Sequence, residues 1–194
     1  MSNPVIPKTM SANIDGDFVV FLTGMRINRW WRIDRWLPVL RAMPRMLAEL
    51  EAQPELGMLG YHGWPARTPI ILQYWRSLDH LMSYAHSRDA EHLPAWRDFN
   101  RRIAASDAVG IWHETYCVTG GRYETIYHNM PAFGLGKVSE LVEARGRRRS
   151  AADRLKVATE RASAAQASGD ITPPEADARA VGGTSENQQR DAAA

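Results

Sequence analysis

The chain has 194 residues, 44% of them hydrophobic, which is enough for one packed domain with chain to spare. A formal net charge of +2 lacks the basic excess of a nucleic-acid binder, and the single cysteine, Cys117, excludes an intramolecular disulfide and a multi-cysteine metal site. Residues 1–17 have no signal-like apolar run and no stretch is long and apolar enough to span a bilayer, so the expectation is a cytoplasmic protein with no membrane and no nucleic-acid partner.

In chain order, residues 1–16 read as an N-terminal arm. Phe18 to Asn28 is rich in β-branched and apolar residues and reads as a strand. Asp34 is placed to cap a helix in which Trp36, Leu40, Met43, Leu47 and Leu50 recur at helical steps; Pro38 falls in its first turn, and Pro44 predicts a kink. Residues 57–64 and 70–75 form a hairpin around a loop at 65–69. Ser77 caps a second helix with Leu78, Leu81 and Met82 on its apolar side. After a break near Ser87, a further helix carries Leu93, Trp96, Phe99 and Ile103. Val109 to Val118 is a strand, Gly120-Gly121 a tight turn, and Arg122 to His128 a returning strand. No aromatic residue occurs after Gly146. A weak helix over Ser150 to Gln166, anchored by Leu155 and Val157, runs into a segment too polar to offset its ordering entropy. The domain is therefore placed at 17–137, followed by a linker, weak helix and disordered tail over 138–194.

The order β-α-β-β-α-β-β predicts an α+β fold: a ferredoxin-like β-α-β-β-α-β core with an extra C-terminal strand. On the first strand Val19, Phe21 and Met25 point one way, while Phe18, Val20 and Leu22 point the other. Both sheet faces need burial, and two helices cover only one. A second subunit packed sheet to sheet, a dimeric α+β barrel, covers the other; the competing arrangement folds the C-terminal strand and tail across it.

Three groups of side chains are candidates for chemistry. Gln73 and Trp75 share a strand face that suits either a pocket wall or plain core. His92, Trp96 and Asn100 share a helix face if the helix includes His92, although Pro94 favours His92 as a cap. Trp112, Glu114 and Tyr116 lie on one face of a strand, with His113, Thr115 and Cys117 on the other, so one face carries an acid and the other an imidazole. Arg26 is a candidate partner for Glu114, either in a site or in a structural ion pair. There is no Gly-rich phosphate loop, no G-x-S-x-G elbow and no H-E-x-x-H pair, so neither a nucleotide cofactor nor a metal is expected.

Seven runs taken together resemble a known family: Phe18 to Asn28, Trp36 to Val39, Ala42 to Met46, Gln73 to Ser77, His92 to Trp96, Trp112 to Tyr116 and Tyr127 to Pro131. They are similar to a monooxygenase-like family of the dimeric α+β barrel fold, related to the antibiotic-biosynthesis and haem-degrading monooxygenases. The resemblance implies a small-molecule monooxygenase acting without a cofactor on an aromatic or polyketide-like substrate, as a homodimer. His113 or Glu114 would be the base and Trp75, Trp96 and Trp112 would enclose the ring, with Arg26, Asn28, Gln73 and His92 also contacting substrate. A haem-binding or haem-degrading enzyme is the alternative. That site needs a strand Asn, a Trp ending the third strand and a helical His. Trp75 matches well, but Asn28 and His92 match poorly, so no tight haem binding is expected. A third reading is a non-enzymatic dimeric protein that binds a small ligand.

Overall fold

The computed structural model describes residues 4–87 and 107–168. Seven strands and four helices are present among them. Strands β1 (Ile6–Asn13), β2 (Phe18–Ile27), β3 (Met58–Trp64), β4 (Ile70–Trp75), β5 (Val109–Val118), β6 (Tyr127–Met130) and β7 (Glu140–Glu143) alternate with helices α1 (Ile33–Ala52), α2 (Leu78–His86), α3 (Leu135–Val138) and α4 (Ala151–Ala167). The main sheet is antiparallel in the order β3-β4-β2-β5, the arrangement of a ferredoxin-like core. The further helix expected over 93–103 lies outside the described residues.

Local chemistry accounts for most boundaries. Ser77 caps α2 as expected, its Oγ accepting the His80 backbone N–H at 3.3 Å. The start of α1 differs: Arg32 is the N-cap position and Asp34 lies inside the first turn, so Pro38 sits in the second. Asp34 instead holds Arg32 at 2.9 Å, and that hydrogen bond first of all keeps its carboxyl below the usual range. The helix runs unbroken through Pro38 and Pro44. Gly57 has a φ of 90°, and a Cβ there would meet the His80 ring at 2.4 Å, so this turn into β3 requires glycine.

One face of the main sheet packs under α1 and α2. Val19, Leu47, Leu50, Met58, Trp75, Leu81 and Tyr84 form its core. The other face is covered at its Phe18–Tyr74 end by the chain itself. Strands β6-β1-β7 make a second small sheet, and with α3 they bury Phe18, Tyr74, Ala12 and Leu135 against Val20, Leu72, Tyr123 and Tyr127. Residues 6–13 of the expected arm are thus a strand. Residues 127–130 pair with β1 in register Met10↔Tyr127 and do not return along β5. The turn at Gly120-Gly121 redirects the chain because Gly120 abuts the Gly16 backbone and Gly121 abuts Ala158 and Thr159 of α4. Of the two covers considered for this face, the in-chain one is present.

Helix α4 is capped by a reciprocal Ser150–Asp153 box. Its anchor is a charge. Leu155 is exposed, whereas the buried Arg154 guanidinium donates to Glu124 at 2.5 Å and to the carbonyls of Arg148 and Arg149. Arg161 adds a bidentate contact to Asp15.

The buried Tyr74 and the half-buried Tyr123 and Tyr127 between the two sheets make the fold sensitive to alkali. Burial first, then the neighbouring Tyr127, pushes Tyr74 up to about 12, and burial also pushes Tyr123 and Tyr127 up. In the unfolded chain a phenol ionises near about 10, so above that pH the unfolded state releases protons that the folded state keeps. Stability from these groups is therefore complete below about pH 10 and is lost as pH rises toward about 12. Melting temperature followed from about pH 8 upward should fall through this window, and less steeply in Tyr74→Phe. A Tyr74→Phe profile as steep as the wild type would assign the fall to other groups.

Candidate functional site

Residues directly opposite each other in an antiparallel pair share a face, so the register sorts every candidate. Tyr61, Gln73, Phe21 and Thr115 form one row on the helix-facing side. Gly63, Ile71, Thr23 and His113 form the next, and Met58, Trp75, Val19 and Cys117 the row on the other flank. The opposite face carries the rows His62-Leu72-Leu22-Glu114 and Trp64-Ile70-Gly24-Trp112.

His113, Gln73 and Trp75 are thus brought to one side, and Glu114, Trp112 and Arg26 to the other. His113 and Glu114 cannot act on one substrate from within this sheet. Trp75 and Trp112 cannot enclose one ring for the same reason. The expected Arg26–Glu114 pair is absent: Arg26 lies opposite Gly110 and Glu114 opposite Leu22, a separation of about 13 Å at the strand rise. Glu114 instead accepts a hydrogen bond from Tyr116 at 2.8 Å, which with the carboxylate charge pushes the phenol up. Trp112 folds over its neighbour strand, where a Cβ on Gly24 would come within 2.9 Å of its indole nitrogen. Asn28 donates to the Asp107 carbonyl at 2.9 Å. It sits nine positions along β2 from the Val19–Trp75 pair, about 30 Å away. His92 and Trp96 lie outside the described residues.

Trp75 is core. It is 1% exposed, packs on Tyr84 at 5.8 Å between ring centroids and donates its indole N–H to Gln73 Oε1 at 2.8 Å. Above it Tyr84 donates to Glu49 at 2.8 Å, tying α2 to α1. Gln73 is buried as well, so the alternatives left open by the strand pattern resolve toward a wall that is closed at the Trp75 end.

Toward β5 the same face opens. Thr23 is buried and gives its hydroxyl to the Trp112 carbonyl at 3.3 Å. The exposed imidazole of His113 leans on Phe21 at 5.7 Å between centroids. At the far edge burial, then the charge of Glu51, pushes the Tyr61 phenol up. From Gln73 to His113 the strip crosses two strand spacings and two residues, about 12 Å between backbones. It is an apolar floor bordered by an amide, a hydroxyl and one imidazole. Phe21, Thr23 and Tyr61 belong to this strip and carry no motif; only cross-strand register identifies them. Among the described residues of the strip the imidazole is the side chain placed to act as a base, and the arrangement suits proton abstraction from a flat, weakly polar molecule. Among the described residues no three His, Cys, Asp or Glu side chains gather as a metal site.

Residues 18–135 match the family described as Monooxygenase af470-like. The curated monooxygenase af470 of Aspergillus fumigatus is 28% identical over 133 residues, covering 63% of this chain and 46% of that protein. Two crystal structures of aldoxime dehydratase, one in complex with butyraldoxime, superpose with a TM-score of 0.57 at 16% and 17% identity. They cover 72% and 75% of this chain and 42% and 44% of theirs, and they establish the fold alone. The chain spans less than half the length of each of these relatives.

Proposed function

The chain belongs to the Monooxygenase af470-like family, and from that premise we propose that it is a small-molecule monooxygenase acting without a cofactor on an aromatic or polyketide-like substrate. The observation that carries this reading is the helix-facing strip, where the exposed His113 borders Phe21, Thr23 and Gln73. His113 is the base and Glu114 is not, because Glu114 faces the other way and is engaged by Tyr116.

The chemistry balances with dioxygen as sole co-reactant. His113 takes a proton from an activated ring methylene. The carbanion passes one electron to dioxygen, and the radical pair closes a C–O bond to give a peroxide, which takes up the proton held by His113. Loss of the second C–H proton with cleavage of the O–O bond leaves a carbonyl and water. Four electrons leave the methylene carbon, and all four are accepted by oxygen. A base in hydrogen-bond reach of the proton is what such a step requires of the protein.

The haem alternative is less well supported. Trp75 is enclosed in core, and Asn28 lies about 30 Å away along the sheet, already bonded to Asp107. These two do not converge on one ligand. A homodimer remains part of the reading. The edge strand β5 leaves Ile111 and Tyr116 exposed, and the relatives are long enough to hold two such units in one chain.

The test is oxygen uptake by the purified full-length chain with a panel of phenolic and anthrone-like compounds, read together with its absorption spectrum. A colourless protein that consumes oxygen supports the reading. A Soret band moves the haem enzyme to first place. A colourless protein that binds members of the panel without oxygen uptake supports the ligand-binding alternative.

A further inference from the structure

We propose that the turn between β2 and α1 docks this protein on an anionic lipid surface. The segment reads Arg29-Trp30-Trp31-Arg32. The Arg32 backbone N–H donates to the Arg29 carbonyl at 3.1 Å, so the two tryptophans occupy the tip of a β-turn. Turn tips ordinarily carry Gly, Pro, Asn, Asp or Ser, each for a backbone reason that tryptophan does not share. Here Trp30 is 68% exposed, Trp31 60% and the adjacent Ile33 52%. The two rings meet edge to face at 6.2 Å and belong to no core cluster of the described residues.

The turn is also held in place. Trp36 donates its indole N–H to the Trp30 carbonyl at 2.9 Å, and Arg29 binds Asp107 at 2.5 Å. Leu40, exposed further along α1, extends the apolar strip begun by Ile33. A rigid pair of amphipathic rings suits the headgroup boundary, where an indole buries its body and keeps its N–H wet.

Charge selects the kind of surface. Arg26 lies on β2 three residues before Arg29, and the loop carrying Arg67 is hydrogen-bonded to Ile27 at the end of β2. Among the described residues, Arg29 pairs with Asp107 and Arg32 with Asp34, and Arg26 and Arg67 add two further guanidinium groups at this end of β2. The whole chain, by contrast, carries 24 cationic and 22 anionic residues. A basic excess among the described residues thus borders the exposed tryptophans, which is the complement of an anionic bilayer. This inference departs from the expectation of no membrane partner and does not depend on the oxygenase reading.

The test uses the full chain with vesicles of phosphatidylcholine alone and with about one third phosphatidylserine. Co-sedimentation should be about tenfold stronger on the anionic vesicles and should weaken with salt. Brominated lipid should quench tryptophan fluorescence. The variant Trp30→Ser/Trp31→Ser should lose at least about tenfold in vesicle affinity and most of the quenching, since it removes two buried rings from the interface. Its exposed rings predict an unchanged melting temperature; if the double variant does not fold, Trp31→Ser alone serves, with a smaller loss in the same direction. Equal binding to both vesicle types, or binding unaffected by these variants, overturns the proposal. So does a lipid-free oligomer that the variants dissociate, which would make a second copy of this chain the occupant.

Discussion

Replacing Trp75 with alanine should destabilise the protein by about 3–5 kcal/mol, the usual cost of removing a fully buried aromatic side chain. For a chain of this size that is a fall in melting temperature of roughly 6–20 °C. The effect has two parts. The ring touches Tyr84 and fills the space between β4, α1 and α2, so its loss leaves a cavity. It also donates to Gln73 Oε1, which is left buried without that donor. Trp75→Phe separates the two: it keeps most of the packing and drops the N–H, and should cost about 1–3 kcal/mol. Thermal unfolding by circular dichroism measures both. A Trp75→Ala change worth less than about 1 kcal/mol would mean that the ring lines open space, and would restore Trp75 as a pocket wall.

The strand and helix pattern was legible wherever hydrophobic periodicity was strong. Phe18 to Ile27, the hairpin around residues 65–69, the Ser77 cap and Val109 to Val118 all appear where the sequence places them. The misses share a cause. Strand β1 reads Ile-Pro-Lys-Thr-Met-Ser-Ala-Asn, with only a short apolar contribution, and it exists because β6 and β7 pair with both its edges. No local signal encodes a pairing between residues 10 and 127. The same holds for α4, whose apolar residues are weak and whose buried contact is an arginine reaching Glu124. The two-faced pattern of β2 correctly required a second layer, but alternation alone cannot say whether that layer comes from another chain or from the same one.

The candidate site was legible only within single strands. Alternation separated His113 from Glu114, and Trp112 from Cys117, without reference to any other element. It could not say which of those faces meets Gln73 and Trp75. That depends on the pairings Phe21↔Gln73 and Thr23↔His113, which join strands far apart in sequence. Composition therefore supplied the cast of polar residues, and register decided which of them stand together.

That division gives the sharpest functional contrast. Loss of a general base typically costs about a hundredfold to ten-thousandfold in rate, so His113→Ala should lower oxygen uptake by that amount. Substrate affinity, read separately by tryptophan quenching, should change far less, because Phe21, Gln73 and Thr23 still form the floor. Glu114→Gln should leave uptake nearly unchanged. Its carboxylate meets only Tyr116 in the described structure, at an exposed position, and the amide keeps an oxygen to accept that bond. Both variants should melt near the wild type, since neither side chain is buried. The reverse result, with activity lost in Glu114→Gln and kept in His113→Ala, would move the reaction to the other side of the sheet. Leu22, Trp112 and Tyr116 would then line it, and the uncovered part of that face would be the substrate site.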